Sequence, residues 1–290
     1  MSLSRLGTFA YLLAFFFYLF APLAVMGLTA FNTANFPSAW PIEGVTLDWF
    51  AARARDEEML YGLRNSLWIG FLVVLVSVPT GLAGALMMQY LAPRLRGVYY
   101  VLTVAPVLIP GVIIGIATVI FWREVTLSAG MRFLYNGTML TVLGQSSFIS
   151  AYCMLIFTAR LQRFDGALEE AAGDLGASQT QVFLHILLPY LRPAVFSAAA
   201  LAFLSSFENY NTTTFAILAD KTLTTVLAGQ VRQGTTPAVS ALAVLIIGAT
   251  VISFALMELW RNRQALFRGA RRAAVTQGAG TAPVARVPAE

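Results

Sequence analysis

Long uncharged runs alternate with short polar stretches along this chain. No Asp, Glu, Lys or Arg occurs between Arg5 and Glu43, Arg64 and Arg94, Arg96 and Arg123, Arg132 and Arg160, or Arg232 and Glu258. The runs are continuously apolar rather than alternating, which predicts helices and not strands. A bilayer core about 30 Å thick needs about 20 residues of apolar helix. Six stretches qualify: 8–30, 66–89, 98–122, 138–158, 193–215 and 237–260. The fifth is interrupted by one charge, Glu208. Trp68, Trp122 and Trp260 fall near predicted span ends, where interfacial aromatics belong. Gln89 and Gln145 are placed at span ends too, and Pro106 and Pro110 predict a kink in the third span. The first span follows Arg5 as a signal peptide would. Its apolar run exceeds the usual h-region of about 7–15 residues and no A-x-A site follows, so a retained helix is expected.

Composition agrees with this pattern. The chain is 58% hydrophobic and 11% charged, with mean hydropathy +0.72. A soluble domain is usually less than half apolar and about a quarter charged. The single cysteine, Cys153, excludes an internal disulfide and a multi-cysteine metal site, and reads as a small core residue. His185 has no second imidazole to share a metal or relay protons, and no metal is expected. The basic residues are scattered between apolar spans, which argues for membrane orientation and against a nucleic-acid partner.

With the N-terminus inside, the cytoplasmic segments carry Arg5, Arg94, Arg96, Arg160, Arg163, Arg192, the basic run Arg261 to Arg272, and Arg286. The external segments carry Arg53, Arg55, Arg64, Arg123, Arg132, Lys221 and Arg232. The bias favours both termini in the cytoplasm. Residues 1–265 then form a six-helix membrane domain. Residues 266–290, basic and rich in Ala, Gly, Val and Pro, are expected to be a disordered tail. The run Arg261 to Arg272 reads first as a stop-transfer anchor and second as a contact for anionic lipid.

One polar stretch, 159–192, carries a recognisable motif. Glu170-Ala171-Ala172-Gly173-Asp174-Leu175-Gly176 is followed after nine residues by Ile186-Leu187-Leu188-Pro189, giving E-A-A-x3-G-x9-I-x-L-P. Asp165 can cap a helix in which Leu168, Ala171, Ala172 and Leu175 make one apolar stripe at i, i+3, i+4, i+7 spacing. Glu169, Glu170 and Asp174 flank it, and Gly176 suits a left-handed C′ position. Ser178 can cap a second short helix, expected to run to Leu188 and stop at Pro189.

The spacing resembles the EAA motif of type I ABC importer permeases, the cytoplasmic loop on which the ATPase docks. The competing reading is an amphipathic loop lying on the membrane surface. The resemblance extends further. Asn32 to Trp49, then Leu63-Arg64-Asn65-Ser66-Leu67, is similar to the first external loop and second helix of the spermidine/putrescine permease family. Ser206-Phe207-Glu208-Asn209-Tyr210 resembles that family's Ser-Phe-acid segment, with Asn209 where a second acid often stands. The chain resembles the second of the two different permeases. The resemblance implies an all-α type I importer fold with six spans and cytoplasmic termini. It also implies a related permease as heterodimer mate, two ATP-binding subunits that hold ATP and Mg, and a periplasmic solute-binding protein in a bacterial inner membrane. The docking residues would be Glu169, Glu170, Ala171, Ala172, Asp174, Leu175 and Gly176. The branch also resembles permeases for opines, aminophosphonates and other small organic solutes.

An acid inside a span normally faces a bundle interior or an aqueous path. If helix continues through Glu208, then Leu204, Ser205, Asn211, Thr212 and Phe215 share its face, with Phe207, Asn209 and Tyr210 alongside. Phe207, Glu208, Asn209, Tyr210, Asn211 and Thr212 are therefore the candidate substrate path. Glu208 lies toward the external end of its span. An acid among aromatics suits an organic ammonium ion. The competing reading is a structural acid satisfied by Asn, Thr or an Arg of the mate.

Two rival functions are a membrane enzyme and a stand-alone channel or secondary carrier. No H-E-x-x-H, G-x-S-x-G or pair of intramembrane acids supports an enzyme. A P-loop needs Gly-Lys, and the one lysine, Lys221, follows Asp220. A secondary carrier usually carries internal repeats, and none stands out.

Overall fold

The computed structural model describes residues 3–130, 132–234, 236–248, 251–252 and 255. The remainder of the sixth expected span and the 266–290 tail lie outside the described residues. The chain divides into two compact units, Ala54–Gly234 and Met1–Arg53 with Thr235–Glu290. Every regular element among the described residues is helical, apart from an isolated bridge between Asn32 and Val45.

The larger unit is built on α3 (Glu57–Tyr90), α6 (Gly137–Leu161) and α9 (Leu188–Phe207), which pack against one another. Inside a bilayer, apolar side chains gain little from leaving lipid, so close backbone approach and packing must hold helices together. The sequence provides this with small residues on the facing stripes. In α9, Ala194, Ala198, Ala202 and Ser206 recur every fourth position and are all buried. In α3, Gly62, Ser66, Gly70, Ser77, Gly81 and Ala85 are buried. Between these stripes lie Ile69, Val73, Ile149, Met154, Phe157 and Leu191. Cys153 is buried there as expected, with its Sγ 3.8 Å from the Ala198 carbonyl oxygen.

Among the described residues, five helices are long and apolar enough to cross a membrane: Gly7–Phe31, Glu57–Tyr90, Gly111–Ala129, Gly137–Leu161 and Gln179–Phe207. Two expected spans change. The third is not one kinked helix but two, α4 (Pro93–Leu108) and α5 (Gly111–Ala129). Ile109 and Pro110 between them are extended, with ψ of 132° and 131°. A residue before proline is pushed out of the helical region, so Pro110 breaks the helix at Ile109. The fifth span starts earlier and ends earlier than 193–215. The chain passes from α8 (Gln179–Val182) through a π-helical turn, Phe183–Leu187, directly into α9. Pro189 therefore does not stop the helix. The wider π turn, closed by Leu188 N–H to the Phe183 carbonyl, carries the chain past the position where the proline ring would meet a helical carbonyl.

After Phe207 the chain turns and forms α10 (Thr213–Ala216) and α11 (Leu223–Gln233). Segment α10 packs on α5 and α6, and α11 packs on α3. Glycines make room for it. A Cβ on Gly115 would lie 2.6 Å from the Thr212 carbonyl oxygen, and one on Gly137 would overlap the carbonyl of Ile217.

In the smaller unit, α1 (Leu3–Phe31) leads to a loop organised by Asn32, and then to α2 (Asp48–Ala54). The buried Asn32 amide donates to the carbonyls of Ser38 and Pro41 and accepts from the N–H groups of Ala34 and Glu43. The Trp49 indole donates to the Asn32 carbonyl at 2.8 Å. The helix α12 (Pro237–Gly248) is tied in by a 2.9 Å hydrogen bond from Thr29 to Ser240 and a 3.0 Å bond from Arg53 to the Ala238 carbonyl.

Candidate functional site

Two groups of sequence-predicted residues fall at opposite ends of α6 and α9. The docking group follows the C-terminus of α6. There α7 (Ala167–Asp174) begins where the Asp165 carboxylate accepts from the Ala167 N–H at 3.1 Å. Glu169 and Glu170 lie in its first turn, where the helix dipole favours acids. The helix ends as the glycine predicted. Gly176 has φ +82°, its N–H donates to the Gly173 carbonyl, and the Ala177 N–H donates to Ala172. These two bonds make a Schellman C-cap. Ser178 then starts α8 in a reciprocal capping box with Gln181.

The loop presents an apolar surface with an acidic rim. Leu175 is 90% exposed, and Leu168, Ala171, Glu169, Glu170 and Asp174 are exposed, while Ala172 is half-buried. Leu175, Gly176, Ala177, Gln181, Val182, His185 and Ile186 line an open groove of about 470 Å³. The loop is rooted at both ends by contacts that sequence reasoning missed. The Arg160 guanidinium lies 4.2 Å over the Tyr190 ring, the Tyr190 hydroxyl donates to the Arg160 carbonyl, and Phe164 packs on the same ring. The exposed part is thus held on a fixed base.

The second group differs from expectation. Glu208 is not within a helix but caps the end of α9, so the helical face drawn through Leu204, Ser205, Asn211, Thr212 and Phe215 does not form. The cause is local competition for the backbone. The Asn209 side-chain oxygen accepts from the N–H groups of Thr212 and Thr213 at 3.1 and 3.3 Å and starts α10. Asn209 is thereby committed to its own backbone, and Thr212 is fully buried. Phe207 stacks on Phe203 and is half-buried. Glu208 and Asn211 are exposed, and among the described residues no partner is found for the Glu208 carboxylate. The Tyr210 hydroxyl accepts a 2.8 Å hydrogen bond from Arg232, a cation that sequence reasoning did not place there.

Gln145 corrects a third expectation. It is 1% exposed, and it hydrogen-bonds to Ser206 of α9 and Thr213 of α10. A glutamine placed well inside an apolar run was the available signal. Among the described residues no group of His, Cys, Asp and Glu is arranged to hold a metal.

Comparison with known proteins adds to this geometry. Residues 77–265 match the family described as binding-protein-dependent transport system inner membrane component. The putrescine transport system permease protein PotI of Escherichia coli (strain K12) is 31% identical over 245 residues, 83% of this chain and 85% of that protein. The spermidine/putrescine transport system permease protein PotC of Haemophilus influenzae is 26% identical over 254 residues, 86% of this chain and 93% of that one. Among solved structures, a bacterial ABC transporter involved in the import of the acidic polysaccharide alginate superposes with a TM-score of 0.65 at 14% identity, covering 89% of this chain and 97% of the other. The same kind of transporter, in complex with an alginate pentasaccharide-bound periplasmic protein, gives 0.67 at 18% identity, covering 88% and 92%. At those identities the likeness shows the fold alone. The motif-bearing loop, the helical membrane architecture and the match over 77–265 lead to one conclusion: the chain belongs to the family of inner membrane components of binding-protein-dependent ABC transporters.

Proposed function

We propose that this chain is one of two permease subunits of an ATP-driven importer that moves a polyamine-like organic cation from the periplasm into the cytoplasm across a bacterial inner membrane. The observation that carries the reading is the identity to a putrescine permease over most of both chains. The geometry supports it at two places. The loop around Glu170 and Leu175 offers an acid-rimmed apolar surface with a groove beside it, suited to a partner subunit. At the other end, Glu208 stands exposed beside Phe207 and Tyr210, where a carboxylate and ring faces attract an ammonium ion.

The sequence contains no H-E-x-x-H, G-x-S-x-G or Gly-Lys P-loop motif. Two ATP-binding subunits dock on the loop and hold ATP and Mg, a related permease completes the path, and a periplasmic protein delivers the solute. A second reading keeps this importer class and changes the solute. Arg232 at Tyr210 favours a solute that bears an acid as well as an amine, such as an opine, an aminophosphonate or an amino-acid-like compound. Calorimetry of putrescine and of a zwitterionic amino acid on the cognate binding protein separates the two. Binding of putrescine alone supports the first reading, and binding of the zwitterion alone overturns it.

A further inference from the structure

Glu208 has no side-chain partner among the described residues, so its position is set by its backbone. That backbone is held by a continuous polar chain. The Ser206 hydroxyl donates to the Gln145 side-chain oxygen at 2.5 Å. The Gln145 amide donates to the Thr213 hydroxyl at 2.8 Å. The Thr213 hydroxyl donates in turn to the Asn209 carbonyl at 2.7 Å. The chain starts two residues before Glu208 and ends one residue after it, and its middle is a side chain from α6.

Ser206, Gln145 and Thr213 are each buried. Water cannot replace a link that breaks there, so all three hold together or the turn loosens. The bonds also join three separate elements, since Gln145 lies 61 residues from Ser206 and 68 from Thr213. A packing role alone would need an apolar side chain, which a lipid-embedded helix accommodates more cheaply than an amide.

We infer that Gln145 is a positioning residue for solute passage, clamping the two flanks of Glu208 so that its carboxylate faces the external mouth. The inference rests on the proposed role of Glu208 as a solute contact. Gln145 itself touches no solute.

A double-mutant cycle tests it in the full importer, reconstituted with its ATPase, mate and binding protein, reading putrescine uptake per assembled complex. Gln145→Met keeps length and volume and removes both bonds. The expected result is a loss of about tenfold in Gln145→Met, the size of a broken buried polar link, and no further loss when the change is made in Glu208→Gln. An equal fold-loss in both backgrounds, or wild-type uptake in Gln145→Met, overturns the inference. Where Gln145→Met does not assemble, Thr213→Val breaks the last two links and is read by the same criteria. Wild-type uptake in Glu208→Gln itself removes the solute contact on which the clamp depends. Defective uptake there with additive losses leaves that contact standing and removes Gln145 alone.

Discussion

A carboxylate held at mid-bilayer depth costs a few kcal/mol on insertion scales. Glu208 ends a helix instead of lying within one, and its side chain is exposed on this chain. Among the described residues its carboxylate has no ion-pair partner, which leaves its charge for the solute contact proposed above. Glu208→Gln keeps shape and hydrogen bonding, while Glu208→Asp keeps charge and shortens reach. Uptake per assembled complex is expected to fall about tenfold or more with Gln, the scale of one charge-assisted contact, and by much less with Asp. Equal uptake in the two variants would assign Glu208 a structural role. The residue was legible in the sequence as a lone acid in an apolar run. Its helix-terminal setting was not, because hydropathy does not mark where Asn209 takes over the backbone donors of Thr212 and Thr213. Gln145 stood well inside an apolar run, which signals burial, but its partners lie 61 and 68 residues away and no local pattern names them.

At the scale of elements, short-range chemistry was read best. The left-handed Gly176 and the cap at Ser178 depend on neighbours a few residues away and appear as expected. Breaks that depend on proline were read with the wrong outcome. Pro110 was expected to bend a helix and ends one, while Pro189 was expected to end a helix and is absorbed by a π turn. The loop around Gly176 carries its own prediction. A Cβ added at Gly176 meets no atom within 4 Å, so the cost of a side chain there begins with backbone strain at φ +82°, roughly 1–2 kcal/mol. Gly176→Val and Glu170→Arg are expected to leave the permease inserted but to lower solute uptake relative to ATP hydrolysis in reconstituted complexes. Unchanged uptake and unchanged solute-stimulated hydrolysis in both would remove the loop from coupling.

At the scale of the whole molecule, five apolar helices among the described residues are long enough to span, and α12 covers the first part of the sixth expected run. The positive-charge bias predicts that the 159–192 loop lies inside. Reporter fusions at Ala92 and Gln179 should therefore report cytoplasm, and fusions at Glu43 and Thr222 the outside. An external signal at Gln179 would place the loop away from ATP. The central claim is that this chain moves solute only as part of an ATP-driven assembly. The most direct test measures labelled putrescine uptake into proteoliposomes holding either the permease pair alone or the pair with its ATPase, with ATP or ADP inside and with or without the binding protein. The account predicts uptake when ATPase, ATP and binding protein are all present, and none when any one is missing. Concentrative or downhill uptake by the permease pair alone would contradict it and make the chain a carrier or channel.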